Sequence, residues 1–98
     1  MDLSSKQRKY LRALAHDLKP KVYIGKNSIN EGTINSINEN LDAHELIKIK
    51  SHENKLSLDD LSDIKNQTNF SIVGNIGKTI IVYRENADKE LRKIKLPK

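Results

Sequence analysis

Apolar residues recur at helical spacing at the start of the chain and predict a first helix over residues 4–16. One arc of this helix is apolar, and the opposite side is basic. The apolar arc consists of five side chains: Leu3, Tyr10, Leu11, Leu14 and Leu18. We therefore expect this arc, including Tyr10, to pack into the core.

A strand and a second helix follow. Pro20 ends the first helix, because its ring disfavours helical geometry at the preceding residue, and residues 21–25 predict a short strand. Ser28 and Glu31 have the spacing of a capping box, in which each side chain bonds the backbone N–H of the other residue. The second helix is therefore predicted from Ser28 to about residue 43, with a buried stripe of Ile34, Ile37 and Leu41.

The pattern then returns to a strand and a third helix. Residues 46–50 alternate between apolar side chains and lysines, which is typical of a half-buried strand. Ser57 and Asp60 indicate another cap, and the apolar spacing after them predicts a helix to about residue 68.

The last two regular elements are predicted to form an antiparallel hairpin. Residues 70–76 and 78–84 are β-branched and apolar, and the turn between them falls near Gly77 and Lys78. Gly74 lies inside the first of these strands, where a glycine often marks a β-bulge.

The predicted order is α-β-α-β-α-β-β, which indicates a single α/β (α+β) domain with a four-stranded mixed sheet packed against helices. A chain of 98 residues fits one such domain, and an apolar content of 36% predicts a thin core. We expect residues 1–85 to form the domain. Residues 86–98 are expected to be a basic C-terminal tail, irregular or only loosely docked.

The distribution of charge along the chain indicates a binding surface on this predicted fold. The net charge is +5, and it is distributed as +5 over residues 1–26, −5 over residues 27–63 and +5 over residues 64–98. A basic surface of this kind favours an anionic partner such as nucleic acid.

Several classes of protein are excluded or disfavoured. The chain has no cysteine, which excludes disulfides, thiolate metal sites and a cysteine nucleophile. No apolar run approaches the roughly 18–20 residues that cross a bilayer, and the N-terminal segment is charged where a signal peptide is apolar. His16, His44 and His52 are scattered, with no carboxylate pair or nucleophile–base pair beside them. We expect a cytoplasmic monomer that is not an enzyme and has no metal, cofactor, membrane or small-molecule ligand.

Several stretches together resemble one known family. Residues 3–16 read LSSKQRKYLRALAH, residues 14–27 read LAHDLKPKVYIGKN, residues 44–50 read HELIKIK, residues 76–84 read IGKTIIVYR and residues 93–97 read KIKLP. Their order and spacing resemble the bacterial YhbY family of free-standing CRM domains. The resemblance implies a fold similar to the C-terminal domain of a translation initiation factor and distantly like a KH domain. It also implies RNA binding and association with rRNA in precursors of the large ribosomal subunit.

The resemblance implies a GxxG recognition loop at Gly25, Lys26, Asn27 and Ser28, where Ser28 stands in place of the second glycine. The residues favour the same place independently, because a turn that leads into a helix N-terminus presents free N–H groups and the positive end of the helix dipole to an anion. Lys19 and Lys21 add positive charge beside this loop.

The remaining candidates for RNA contact lie outside the loop. They are the basic side chains of the first helix, the histidine at its end and a lysine in the predicted hairpin turn. These residues are Lys6, Arg8, Lys9, Arg12, His16 and Lys78. A charged helix face is also typical of plain solvated surface. Because aromatic residues are only 4% of the chain, base stacking is expected to be minor and binding mainly electrostatic.

An alternative function uses the acidic segment. In this hypothesis the chain is an adaptor that contacts proteins of the ribosome or its precursors through residues 27–63. Charge reversal at Glu39, Asp42 and Glu45 would then abolish association with the particle and leave binding to naked RNA intact.

Overall fold

The computed structural model describes residues 2–25, 29–52 and 56–98, except for the side chain of Leu58. The predicted order of elements is confirmed. The elements are α1 (Ser5–Ala15), β1 (Val22–Ile24), α2 (Glu31–His44), β2 (Leu46–Ser51), α3 (Leu58–Thr68), β3 (Ser71–Ile76) and β4 (Thr79–Tyr83). A short 3₁₀ helix (Lys89–Leu91) follows them.

The strands form a four-stranded mixed sheet in the order β1-β2-β4-β3. β1 pairs in parallel with β2, and the other two neighbouring pairs are antiparallel. The crossover between β1 and β2 is α2, as parallel neighbours require a long connection. The short strand β1 and the hairpin strand β3 are therefore the two edges of the sheet.

Helices cover both faces of this sheet. On one face, α2 and α3 bury the larger core, which contains Val22, Ile24, Ile34, Ile37, Leu41, Ile47, Ile49, Leu61, Ile64, Phe70, Ile80 and Val82. On the other face, α1 and part of the C-terminal tail bury a smaller core, which contains Leu11, Ala15, Leu46, Val73, Ile81 and Tyr83 with Leu3, Ile94 and Leu96 beside it. We call these the α2/α3 face and the α1 face.

The first helix begins as its sequence predicts but is rotated about its axis. Ser4 caps α1 in a capping box with Gln7, since each side chain bonds the backbone N–H of the other residue. The fully buried residues of α1 are Leu11 and Ala15, whereas Tyr10, Leu14 and Leu18 are 39%, 43% and 38% exposed. The expectation that the whole arc packs into the core is wrong for these three residues, because the helix packs on β2 and β3 through the Leu11 and Ala15 side.

The second helix begins later than predicted. Its N-cap is Asn30, whose side chain accepts a hydrogen bond of 3.0 Å from the backbone N–H of Thr33. The predicted start at Ser28, with a capping box to Glu31, is therefore wrong, because Glu31 is itself the first helical residue. An asparagine directly before the first turn satisfies the same free N–H groups that a serine would satisfy.

The third helix and the hairpin match their predictions. Ser57 caps α3 in a capping box with Asp60. The β3–β4 turn contains Gly77, whose φ of 59° lies in the region that glycine occupies without steric cost. The register of β3 shifts between Ile72 and Gly74, so the predicted β-bulge is confirmed.

The C-terminal tail is held more firmly than the sequence predicts. The carboxylate of Glu45 is 1% exposed and accepts backbone N–H groups from three tail residues. The donor–acceptor distances are 2.7 Å from Asn86, 2.6 Å from Lys93 and 3.0 Å from Ile94. Charge-assisted bonds of this length are among the stronger hydrogen bonds in proteins, so the tail is fastened to the start of β2.

Candidate nucleic-acid interface

The end of β1 and the hairpin turn lie at the same end of the sheet. Because β1 and β2 are parallel, Gly25 follows β1 at the end of the sheet where β2 also ends, and the β3–β4 turn lies at that end too. Each segment hydrogen-bonds to the end of β2: Ser51 N–H donates to the carbonyl of Lys78 at 2.9 Å, and His52 N–H donates to the carbonyl of Ile24 at 2.8 Å. Gly25 and Lys78 therefore flank the end of β2, although they are far apart in the sequence.

Three residues of the predicted recognition loop, Lys26, Asn27 and Ser28, lie outside the described residues. The described part nevertheless changes how the loop relates to α2. The helix begins at Glu31, and Asn30 already occupies one of its first N–H groups. Two described residues, Ile29 and Asn30, therefore lie between the predicted loop and the first helical residue.

Gly32, in the first turn of α2, has a local reason to be glycine. A Cβ built on it would lie 3.2 Å from Oδ1 of Asn30, which is the oxygen that caps the helix. The absence of a side chain leaves room for the cap, which favours a packing role for Gly32.

The basic residues of α1 do not share one environment. Lys6 and Lys9 are exposed, whereas Arg8 is half-buried and its guanidinium lies 3.4 Å from the carbonyl of Leu3. Arg12 reaches back across β3, where Nη1 lies 3.4 Å from the carbonyl of Val73. The predicted basic side is thus divided between solvent and the border of the sheet.

Arg12 also lies directly over the bulge. A Cβ on Gly74 would come within 3.3 Å of Cδ of Arg12, so a larger residue there would press against the arginine stem. Gly74 therefore allows Arg12 to rest on the sheet.

A groove of about 340 Å³ runs between α1 and the sheet. Arg12, His16 and Lys48 supply its polar lining, and the rest is lined by Ile76, Thr79 and Ile81. Lys48 Nζ donates to the carbonyl of His16 at 3.3 Å, which places a positive charge at the C-terminal end of α1. Ile76 and Thr79 flank the β3–β4 turn, so this groove lies beside the turn that contains Lys78.

Lys19 and Lys21 line a second groove, of about 260 Å³, on the other flank of α1. Its other lining residues are Leu14, Leu18, His44, Leu46, Ile47 and Ile94. The backbone N–H of Lys21 donates to the carbonyl of Lys48 at 3.0 Å, so β2 lies between the two grooves. The structure places the two lysines beside β1, as predicted, but at the opposite end of that strand from Gly25.

Three residues that the sequence did not single out join this surface. Tyr23, Lys48 and Lys50 point to the α1 face, because their neighbours Val22, Ile24, Ile47 and Ile49 are buried on the α2/α3 face. The alternation in β1 and β2 carries this signal, but it does not reveal which part of the face α1 leaves open.

The acidic segment offers less surface than its charge suggests. Glu45 is buried and accepts hydrogen bonds from the tail. The expectation that it lies on an exposed protein-binding surface is therefore wrong. Asp42 forms an ion pair of 2.8 Å with Arg84, and the same guanidinium donates to the carbonyls of Asn38 and Thr68. Of the three residues chosen for charge reversal, Glu39 is exposed on the surface of α2.

Within the described ranges, no group of three or more histidines and carboxylates is placed to hold a metal ion. In the same part of the chain, no helix is long and apolar enough to cross a membrane.

Comparison with known proteins agrees with the fold. The model of the CRS1/YhbY (CRM) domain matches residues 3–84. The solution structure of a hypothetical protein from Staphylococcus aureus has a TM-score of 0.73 and 36% sequence identity, covering 98% of this chain and all of that one.

Similar sequences span almost the full length. "Probable RNA-binding protein YqeI" of Bacillus subtilis is 36% identical over 97% of this chain and 99% of its own length. An "RNA-binding protein" of Haemophilus influenzae is 37% identical over 98% of this chain and 96% of its own length. The match over residues 3–84 and the shared fold lead to one conclusion: this chain belongs to the CRS1/YhbY (CRM) domain family.

Proposed function

We propose that this protein binds RNA, and that its target is rRNA in precursors of the large ribosomal subunit, whose assembly it assists. Two relatives named as RNA-binding proteins support RNA as the partner. The observation that carries the proposal is the end of the sheet where Gly25 and Lys78 flank β2, together with the groove lined by Arg12, His16 and Lys48. The rRNA target rests on the resemblance to the YhbY family.

Contact with the phosphate backbone supplies most of the affinity in this proposal. Lys48 and Arg12 lie beside the groove, and Lys6 and Lys9 extend the positive surface along α1. Each phosphate that a cation neutralises releases condensed counterions, so binding weakens as salt rises. The loop at residues 25–28 contributes backbone N–H groups, and Lys19 and Lys21 add charge from the second groove.

The positive charge of Lys19 and Lys21 is expected to contribute to RNA affinity. The double variant Lys19→Glu and Lys21→Glu weakens binding to an rRNA fragment about tenfold or more and makes the dependence on salt less steep, because fewer counterions are released. Filter binding across a salt series measures both quantities. The matched control is the double variant Lys89→Glu and Lys95→Glu, which reverses the same number of charges at exposed positions of the C-terminal tail and leaves the salt slope nearly unchanged.

Two results contradict the proposal at different levels. Binding that ignores salt, or that survives the double reversal unchanged, argues against RNA backbone contact. Crosslinking in cells followed by sedimentation tests the assembly role: recovery of messenger RNA alone, with no ribosomal precursor, refutes that role and leaves RNA binding in place.

A further inference from the structure

Four residues form a continuous row across the open end of the α1 face. Tyr23 is the cross-strand partner of Lys50, Lys50 is the partner of Thr79, and Thr79 is the partner of Ile76. Partners in a sheet share one face and lie about 4.8 Å apart, so the row spans about 14 Å from one edge of the sheet to the other. We call Tyr23, Lys50, Thr79 and Ile76 the cross-strand row.

The row lies beyond the part of the face that α1 covers. Tyr23 is 63% exposed and Ile76 is 67% exposed, the two highest values among the large apolar and aromatic residues of the described chain. Farther along the same face, Ile81 and Tyr83 are buried beneath α1 and the tail. The exposure of the row is thus a property of this end of the sheet, where the helix leaves the strands uncovered.

Positive charge surrounds the row. Lys50 lies within it and is exposed, Lys48 lies one step along the same strand, and Lys78 belongs to the turn next to Ile76. Arg12 and His16 border it through the groove that Ile76 and Thr79 also line. An aromatic ring and an aliphatic side chain, separated by Lys50 and Thr79 and bordered by further cations, match the chemistry of single-stranded nucleic acid, in which flat apolar bases alternate with phosphates.

We propose that the cross-strand row binds unpaired RNA bases, with Tyr23 stacking on one base and Ile76 contacting another while Lys50 and Lys48 meet the phosphates. This inference rests on the proposed RNA-binding function. It adds that the open end of the sheet contacts the single-stranded part of the RNA. Stacking is tolerant of sequence, because every base has a π face. The row therefore selects unpaired over paired RNA and does not read a particular base.

The test compares two probes, a short unstructured oligouridylate and a blunt-ended RNA duplex of equal charge, with the full chain and its variants. Tyr23→Ala weakens binding to the oligouridylate by roughly tenfold or more and leaves duplex binding unchanged. Tyr23→Phe keeps the ring and retains wild-type affinity. Tyr10→Ala, which removes a half-exposed tyrosine from α1, is the matched control and leaves both affinities unchanged.

Each outcome decides the proposal. Equal affinity of Tyr23→Ala and wild type for the oligouridylate overturns the stacking role, and so does an equal loss for both probes. If Tyr23→Ala instead dissociates a dimer in sedimentation while RNA binding persists, the row is a contact between two copies of the chain. If the wild type binds neither probe, the proposed function itself fails, which is a different result from insensitivity to Tyr23. Circular dichroism of each variant verifies folding, which we expect because Tyr23 is mostly exposed.

Discussion

Tyr83 places a phenol in the smaller core. It has no exposed surface, and its hydroxyl has no hydrogen-bond partner among the described residues. The pKa of Tyr83 is raised to about 12, mainly by burial and to a smaller extent by the nearby carboxylates of Glu45 and Glu85, while Arg92 acts in the opposite direction. The neutral phenol is therefore strongly preferred in the folded protein.

This shift predicts a loss of stability at high pH. The pKa of Tyr83 is higher in the folded chain than in the unfolded chain, so its contribution is complete below pH 10 and disappears as pH rises toward 12. The difference corresponds to at most about 2–3 kcal/mol. Urea unfolding of wild type and Tyr83→Phe between pH 9 and 12 measures it: the wild type loses more stability than the variant. Parallel curves for the two proteins would contradict the prediction.

Among the elements, α1 and α2 show how neighbours alter a local pattern. The apolar arc of α1 predicts the helix correctly, but Ala15 takes a place in the core and Tyr10 does not. An alanine allows α1 to approach the sheet closely, and this approach brings Arg12 onto Gly74. The identity of the helix follows from its own residues, whereas its rotation follows from the surface of β2 and β3.

The Asn30 cap at the start of α2 is expected to contribute to the stability of the protein. Asn30→Ala removes the side chain that bonds the Thr33 N–H and lowers the free energy of unfolding by about 1 kcal/mol, whereas Asn30→Asp retains most of it. Chemical denaturation measures both variants. A loss carried by Ser28→Ala and absent from Asn30→Ala would return the cap to the position that the sequence alone predicts.

For the whole molecule, the tail is part of the packing. Ile94 and Leu96 contact the smaller core, Gln7 Nε2 donates to the carbonyl of Pro97 at 3.0 Å, and Glu45 bonds three tail N–H groups. Glu45 also adopts a φ of 63°, a region that disfavours side chains larger than hydrogen. The carboxylate offsets this local cost by joining the end of α2, the start of β2 and the tail.

Replacing Glu45 tests this arrangement. Glu45→Gln keeps the size of the side chain but turns one acceptor into a donor, so we expect a loss of about 1–3 kcal/mol and faster amide exchange at Lys93 and Ile94. Urea unfolding and hydrogen exchange measure these effects. The control is Glu85→Gln, which breaks a partly exposed ion pair of 3.2 Å with Arg92 and costs less than about 1 kcal/mol. Equal losses in the two variants would show that Glu45 has no special role.

The sequence by itself determined the order of helices and strands, the cap of α3, the hairpin turn at Gly77 and the segregation of charge. These features depend on residues a few positions apart, so local periodicity and turn chemistry are sufficient to predict them. Only the tertiary structure decided which side of α1 is buried, where Glu45 lies, and that Tyr23, Lys50, Thr79 and Ile76 form one open row. Those features depend on strand register and on the area that a helix covers, and both are set by contacts between residues distant in the chain.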